Sequence, residues 1–90
     1  MTDEKIATSL TEVVAVVLRR WRTQRGLTQP DAAKKMKVGL STLTRLEAGG
    51  SELTYRLMRQ ASVAFGFPLA QFHADVEDVL TRLREQFPDY

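Results

Sequence analysis

Apolar residues recur at intervals of three and four in several stretches of this chain, and residues that start or stop helices stand between those stretches. Ile6, Leu10, Val14, Val17, Leu18 and Trp21 share one face of a helix that starts between Thr2 and Thr11 and ends before Gly26. The run from Val13 to Leu18 is β-branched enough to suit a buried strand, but no partner strand is found elsewhere in the chain. A helix is the consistent reading. Val16 lies outside the stripe, which predicts that this helix is covered on two sides.

Two much shorter helical patterns follow, separated by a break of a few residues. In the first, Thr28 is placed as N-cap, and Asp31 three positions on makes a variant capping box with Asp in place of Glu or Gln. Pro30 is tolerated there because first-turn amides have no intrahelical partner. Ala32, Ala33 and Met36 continue the pattern, and small Ala33 lets the next helix approach closely. The break falls at Lys37-Val38-Gly39, with Val38 expected to be buried and either Gly39 or Ser41 opening the second short helix. Leu43 and Leu46 face inward, which leaves Leu40, Ser41, Thr44 and Arg45 outside. Gly49 and Gly50 end it.

Thr54 caps a fourth pattern with Leu57, Met58, Ala61 and Phe65 inward and a stop at Gly66. Phe67-Pro68 starts the last helix, whose apolar positions 69, 72, 76, 79 and 83 alternate spacings of three and four, with Leu80 and Phe87 widening the stripe. Such a stripe suits packing on another helix or across a two-fold axis, and is too short to specify a coiled coil. Asp78 and Arg82 make an i,i+4 pair worth roughly 0.3–0.5 kcal/mol.

Ninety residues suit one domain spanning 1–90. With 43% hydrophobic and 27% charged residues, wholesale disorder is excluded. The absence of cysteine rules out disulfides and thiolate metal sites. The longest apolar run, Val13 to Leu18, is far too short for a bilayer, and the acidic, polar Thr2, Asp3 and Glu4 do not resemble a signal peptide. A soluble cytoplasmic protein with no membrane contact is expected.

The net charge of +2 changes the picture only when divided along the chain. Between Arg19 and Arg59 stand ten Lys or Arg against three acids, a balance of +7, whereas the two ends together carry −5. That asymmetry suits a middle segment facing a polyanion and flanks that do not.

The segment RTQRGLTQPDAAKKMKVGLSTLTRLEAG, Arg22 to Gly49, has the layout of a helix-turn-helix. Around it, Arg22, GLTQ at Gly26 to Gln29, Ala33, Val38, STLTRLE at Ser41 to Glu47, Gly49 and FGFPLAQF at Phe65 to Phe72 stand in one order and spacing. On these pieces, residues 18–72 resemble the lambda-repressor/Cro (XRE-like) family without a gap. The resemblance implies an all-α, five-helix DNA-binding domain, here with extended N- and C-terminal helices. It implies that Gln29 holds a DNA phosphate and braces the recognition helix, that Leu40, Ser41, Thr44 and Arg45 face base edges, that Thr42 meets the backbone, and that Arg22 and Glu47 form a buried structural ion pair.

The chain departs from the family pattern in three places. Lys37 stands where a turn glycine is usual, so the turn takes either a left-handed residue, at roughly 1–3 kcal/mol, or another geometry. Ala48 replaces a common Asn, and Ser51 and Glu52 replace a loop that is often basic. A DNA reader of ordinary affinity is the expectation.

Donor geometry assigns the chemistry of the outward face. Arg45 suits a bidentate pair with guanine O6 and N7, Ser41 and Thr44 donate or accept, and Leu40 packs on a thymine methyl. Lys35, with Arg19, Arg20 and Lys34, supplies attraction to phosphate without reading sequence. No catalytic residue, metal site or cofactor is expected. His73 has no triad or ligand set around it, Glu77 and Asp78 diverge on a helix, and Gly49-Gly50 lacks the strand that precedes a phosphate loop. Trp21 and the other aromatics are expected in the core.

The leading expectation is a transcriptional regulator, a repressor that binds double-stranded DNA at a palindromic operator as a homodimer, its recognition helices roughly 34 Å apart. The segments outside the family match, chiefly 69–87 and also 6–17, are the expected dimer or protein-partner contacts. An antitoxin that clamps a toxin with its terminal helix, and a protein-interaction module that has lost DNA binding, are the competing readings.

Overall fold

The computed structural model describes residues 10–87, which form five α-helices: α1 (Leu10–Gln24), α2 (Gln29–Met36), α3 (Leu40–Glu47), α4 (Tyr55–Phe65) and α5 (Leu69–Gln86). The principal pairings close a ring, α1 on α3, α3 on α2, α2 on α4, α4 on α5 and α5 back on α1. None of these helices is long and apolar enough to cross a membrane.

The boundaries follow from caps. Thr28 accepts the Asp31 amide and Thr54 the Leu57 amide, each meeting a first-turn donor that has no carbonyl in its helix. Pro30 sits in the first turn of α2, where its missing N–H removes no helical bond. Gly26, Gly49 and Gly66, at φ 70°, 79° and 72°, turn the chain left-handed after α1, α3 and α4.

The core gathers around Val13, Val17, Leu18, Met36, Leu43 and Phe72, with Phe65 and Phe67 beside them. This shifts the expected stripe of α1 by part of a turn: Leu10 is 60% exposed, whereas Val13 is fully buried. The reason is that α1 lies between α3 and α5, so its buried arc is centred on Val13, Val17 and Leu18 and reaches Ala15. Ile6 lies outside the described residues. Tyr55 is a second correction, since at 64% exposure it opens α4 on the surface rather than in the core. Val38 is half-buried and packs against the core from the turn.

Phe72, Val76 and Leu83 of α5 are buried in this chain's own core, and Val79, Leu80 and, just past the end of the helix, Phe87 pack partly against it. The stripe is thus largely used inside the fold. Asp78 and Arg82 pair on its solvent side.

Candidate nucleic-acid interface

The turn between α2 and α3 is built on Lys37. Its backbone is left-handed, φ 63° and ψ 42°, the amide of Val38 reaches the Ala33 carbonyl at 3.0 Å, and the Lys37 amide reaches the Lys34 carbonyl at 3.1 Å. This pair of hydrogen bonds closes a helix on a left-handed residue, so of the two geometries open to the sequence the chain adopts the strained one. Gln60 of α4 donates to the Met36 carbonyl at 2.8 Å and fastens the end of α2 from outside the unit. Gly39, extended at φ −72°, then opens α3.

α3 is held from below and clear above. Leu43, Leu46 and Glu47 are buried, while Leu40, Ser41, Thr44 and Arg45 are exposed and Thr42 is half-buried at the edge. Lys35 is exposed on α2. Four residues therefore point together off one short helix whose other face is anchored.

The anchor is polar as well as apolar. Arg22 Nε donates to Glu47 Oε2 at 2.7 Å, with side-chain exposures of 13% and 2%, and its Nη1 donates to the Leu27 carbonyl at 2.7 Å. Gln29 Nε2 donates to the other carboxylate oxygen, Oε1, at 3.0 Å. Thr44 Oγ1 in turn donates to Gln29 Oε1 at 3.4 Å. A continuous chain of bonds thus runs from α1, through the end of α3 and the start of α2, to the outward face of α3. No buried side-chain polar atom among the described residues lacks a partner, which is what keeps a polar network from being a liability.

Several interactions had little or no signal in the sequence. Arg45 Nε donates to Ser51 Oγ at 3.2 Å, and the Arg45 carbonyl accepts the Gly50 amide at 2.9 Å, so the loop after α3 folds back along the Arg45 stem. That bond uses Nε and leaves both Nη groups for a ligand. Arg25, one of the ten cations of the basic segment, donates to the Phe65 carbonyl at 2.7 Å and lies 4.8 Å from the Trp21 ring centroid. It caps the end of α4 while its side chain stays exposed, and only the contact with Trp21 had a local signal, the i,i+4 spacing. Arg19 Nη1 donates to the Glu47 carbonyl at 3.4 Å, at the end of α3. Four of the ten middle cations, Arg19, Arg22, Arg25 and Arg45, thus have side-chain partners within the protein.

The chain matches a family described as a helix-turn-helix domain over residues 13–74. In one crystal structure, the clp gene regulator ClgR from C. glutamicum is 25% identical, with a TM-score of 0.74 over 79% of this chain and 92% of that one. A second structure of ClgR, from Corynebacterium glutamicum, is 24% identical, with a TM-score of 0.71 over 89% and 96% of the two chains. A mutant of the restriction-modification controller protein C.Esp1396I is 20% identical and has a TM-score of 0.74 over 79% and 95%, a likeness of fold alone. No curated protein sequence matches. On the family match and the helix-turn-helix built around Lys37, the chain belongs to the XRE-like helix-turn-helix family of DNA-binding regulators.

Proposed function

We propose that this chain is a transcriptional repressor that binds a palindromic operator as a homodimer, with α3 in the major groove. The observation that carries the reading is the outward face of α3: Leu40, Ser41, Thr44 and Arg45 are exposed together on a helix whose opposite side is locked by Leu43, Leu46 and the Arg22–Glu47 pair. Arg45 pairs with guanine through the Nη groups that Ser51 leaves free, and Leu40 meets a thymine methyl. Gln29, Thr42 and Lys35 meet the phosphate backbone and set register without reading sequence. A single short helix needs a second half-site for useful affinity, which favours a two-fold dimer. The half-exposed fringe of α5, Leu69, Val79 and Leu80, supplies the dimer interface, and Glu77 and Asp78 on the same helix keep it away from phosphate.

The test is fluorescence anisotropy of the full chain with random and selected duplexes at two salt concentrations, joined to sedimentation of the free and bound protein. Binding must weaken steeply as salt rises, because phosphates freed of protein recapture their counterions. A flat salt response sinks DNA binding, and a stoichiometry of one chain per selected duplex sinks the dimer. Site selection that returns a palindrome supports both.

A further inference from the structure

We infer that the bond chain Arg22–Glu47–Gln29 fixes Thr44 as a hydrogen-bond acceptor toward the major groove, so that this position selects a base bearing an exocyclic amino group, adenine N6 or cytosine N4. The inference rests on the proposed DNA binding and adds to it the polarity of one interaction.

The polarity is set one residue at a time. A guanidinium only donates, and Arg22 gives one N–H to Glu47 and another to the Leu27 carbonyl. The Glu47 carboxylate has no proton to give and accepts on both oxygens, from Arg22 on Oε2 and from Gln29 on Oε1. The Gln29 amide has two possible orientations, and only one of them is compatible with this partner. Turned over, its carbonyl would face a carboxylate oxygen at 3.0 Å, two acceptors with no proton between them. The NH2 therefore faces Glu47, and the Gln29 carbonyl oxygen is what Thr44 meets at 3.4 Å. A hydroxyl carries one proton and two lone pairs. Thr44 gives its proton to Gln29 and keeps lone pairs for its exposed side.

In the major groove the only donors on base edges are the amino groups of adenine and cytosine, whereas guanine O6 and N7, thymine O4 and adenine N7 accept. Thr44 thus favours an amino-bearing base on the strand it touches and disfavours guanine or thymine there. Its neighbour Arg45 has the opposite polarity, since it can only donate. Ser41, exposed on the same face, is bound to no such chain, and its hydroxyl can read either way.

The test uses the full chain and an operator selected from a random duplex library. Its position under Thr44 is the one at which Thr44→Val alone loses discrimination, while Thr44→Ser keeps it. At that position the native protein is expected to prefer adenine or cytosine by roughly threefold to tenfold. Replacing the base by its analogue without the amino group should weaken the native protein by that factor and leave Thr44→Val unaffected. Gln29→Leu frees the Thr44 proton, so the ratio between amino-bearing and carbonyl-bearing bases should fall toward one. If Gln29→Leu instead weakens all duplexes alike and leaves that ratio unmoved, Gln29 serves phosphate only and the inference is overturned. It is overturned equally if Thr44→Val changes no base preference, or if the preference it removes is for guanine or thymine. A chain that binds random duplex with steep salt dependence but selects no sequence overturns it and leaves DNA binding standing. A chain that binds no duplex removes the underlying reading and the inference with it.

Discussion

Trp21 Nε1 donates to Asp75 Oδ2 at 2.8 Å, a bond across 54 residues that fastens α5 to α1. Asp75 is steadied by Gln71, whose amide donates to Oδ1 at 2.9 Å, and the Trp21 ring stacks on Phe67 at 4.1 Å between centroids. Through this bond the last helix becomes a wall of the core rather than an appended arm. A partner docking on α5 would therefore meet a helix already fixed in place.

Asp75→Ala should lower unfolding stability by about 1–2 kcal/mol, because it leaves a half-buried indole N–H without its acceptor. Asp75→Asn keeps an acceptor and should lose less. Urea denaturation followed by the fluorescence of the one tryptophan reads both. Equal midpoints for the native chain and Asp75→Ala would show that the bond carries no stability.

The left-handed Lys37 is the residue at positive φ, among those described, that is not glycine. Lys37→Gly is expected to stabilise the fold by about 1 kcal/mol, since relief of the Cβ clash exceeds the added freedom of the unfolded chain. Lys37→Val should do the reverse, as β-branched residues tolerate this region least. A destabilised glycine variant would mean that the lysine side chain itself holds the turn.

Gly49 and Gly26 are both left-handed, but their surroundings differ. A Cβ on Gly49 would lie 3.0 Å from Glu12 Cγ, whereas a Cβ on Gly26 meets nothing within 4 Å. Gly26→Ala should therefore cost about 1 kcal/mol from the backbone alone, and Gly49→Ala roughly twice that. Thermal melts of the two variants side by side decide it, and similar losses would show that α1 yields at Glu12.

Arg22→Met strands a carboxylate whose side chain is 2% exposed, and should cost about 3–5 kcal/mol. The double replacement Arg22→Met with Glu47→Leu should recover much of that loss, because it removes the buried charge along with its partner. Chemical denaturation of the three proteins makes the comparison. If the double variant is no better than the single one, the ion pair contributes net stability of its own.

Arg45→Ala is expected to weaken binding to a selected operator by about 1–3 kcal/mol more than binding to random duplex. Lys35→Ala should weaken both alike and reduce the salt slope by about one. Anisotropy on the two duplexes separates these roles. Equal losses in the Arg45 variant would assign that residue to phosphate.

The five helices were legible in the chain because their signals are local. Thr28 and Thr54 cap within three residues, Gly26, Gly49 and Gly66 stop helices where they stand, and each apolar stripe repeats within its own helix. The outward set Leu40, Ser41, Thr44 and Arg45 was legible for the same reason, as the remainder of a helix whose Leu43 and Leu46 point inward. What periodicity leaves undetermined is the angle at which each face is buried, since that depends on which neighbours arrive. Leu10 is exposed and Val13 buried because α3 and α5 both press on α1. Arg25 turns to cap α4, and Arg45 rests on Ser51, through bonds whose partners no local pattern announces. The sequence alone determined where helices begin, end and carry their apolar residues, because those forces act within a turn or two of the chain. Only the tertiary structure decided which charges face solvent, how Gln29 is oriented and what Thr44 has left to offer, because hydrogen bonds between distant residues depend on all of their partners at once.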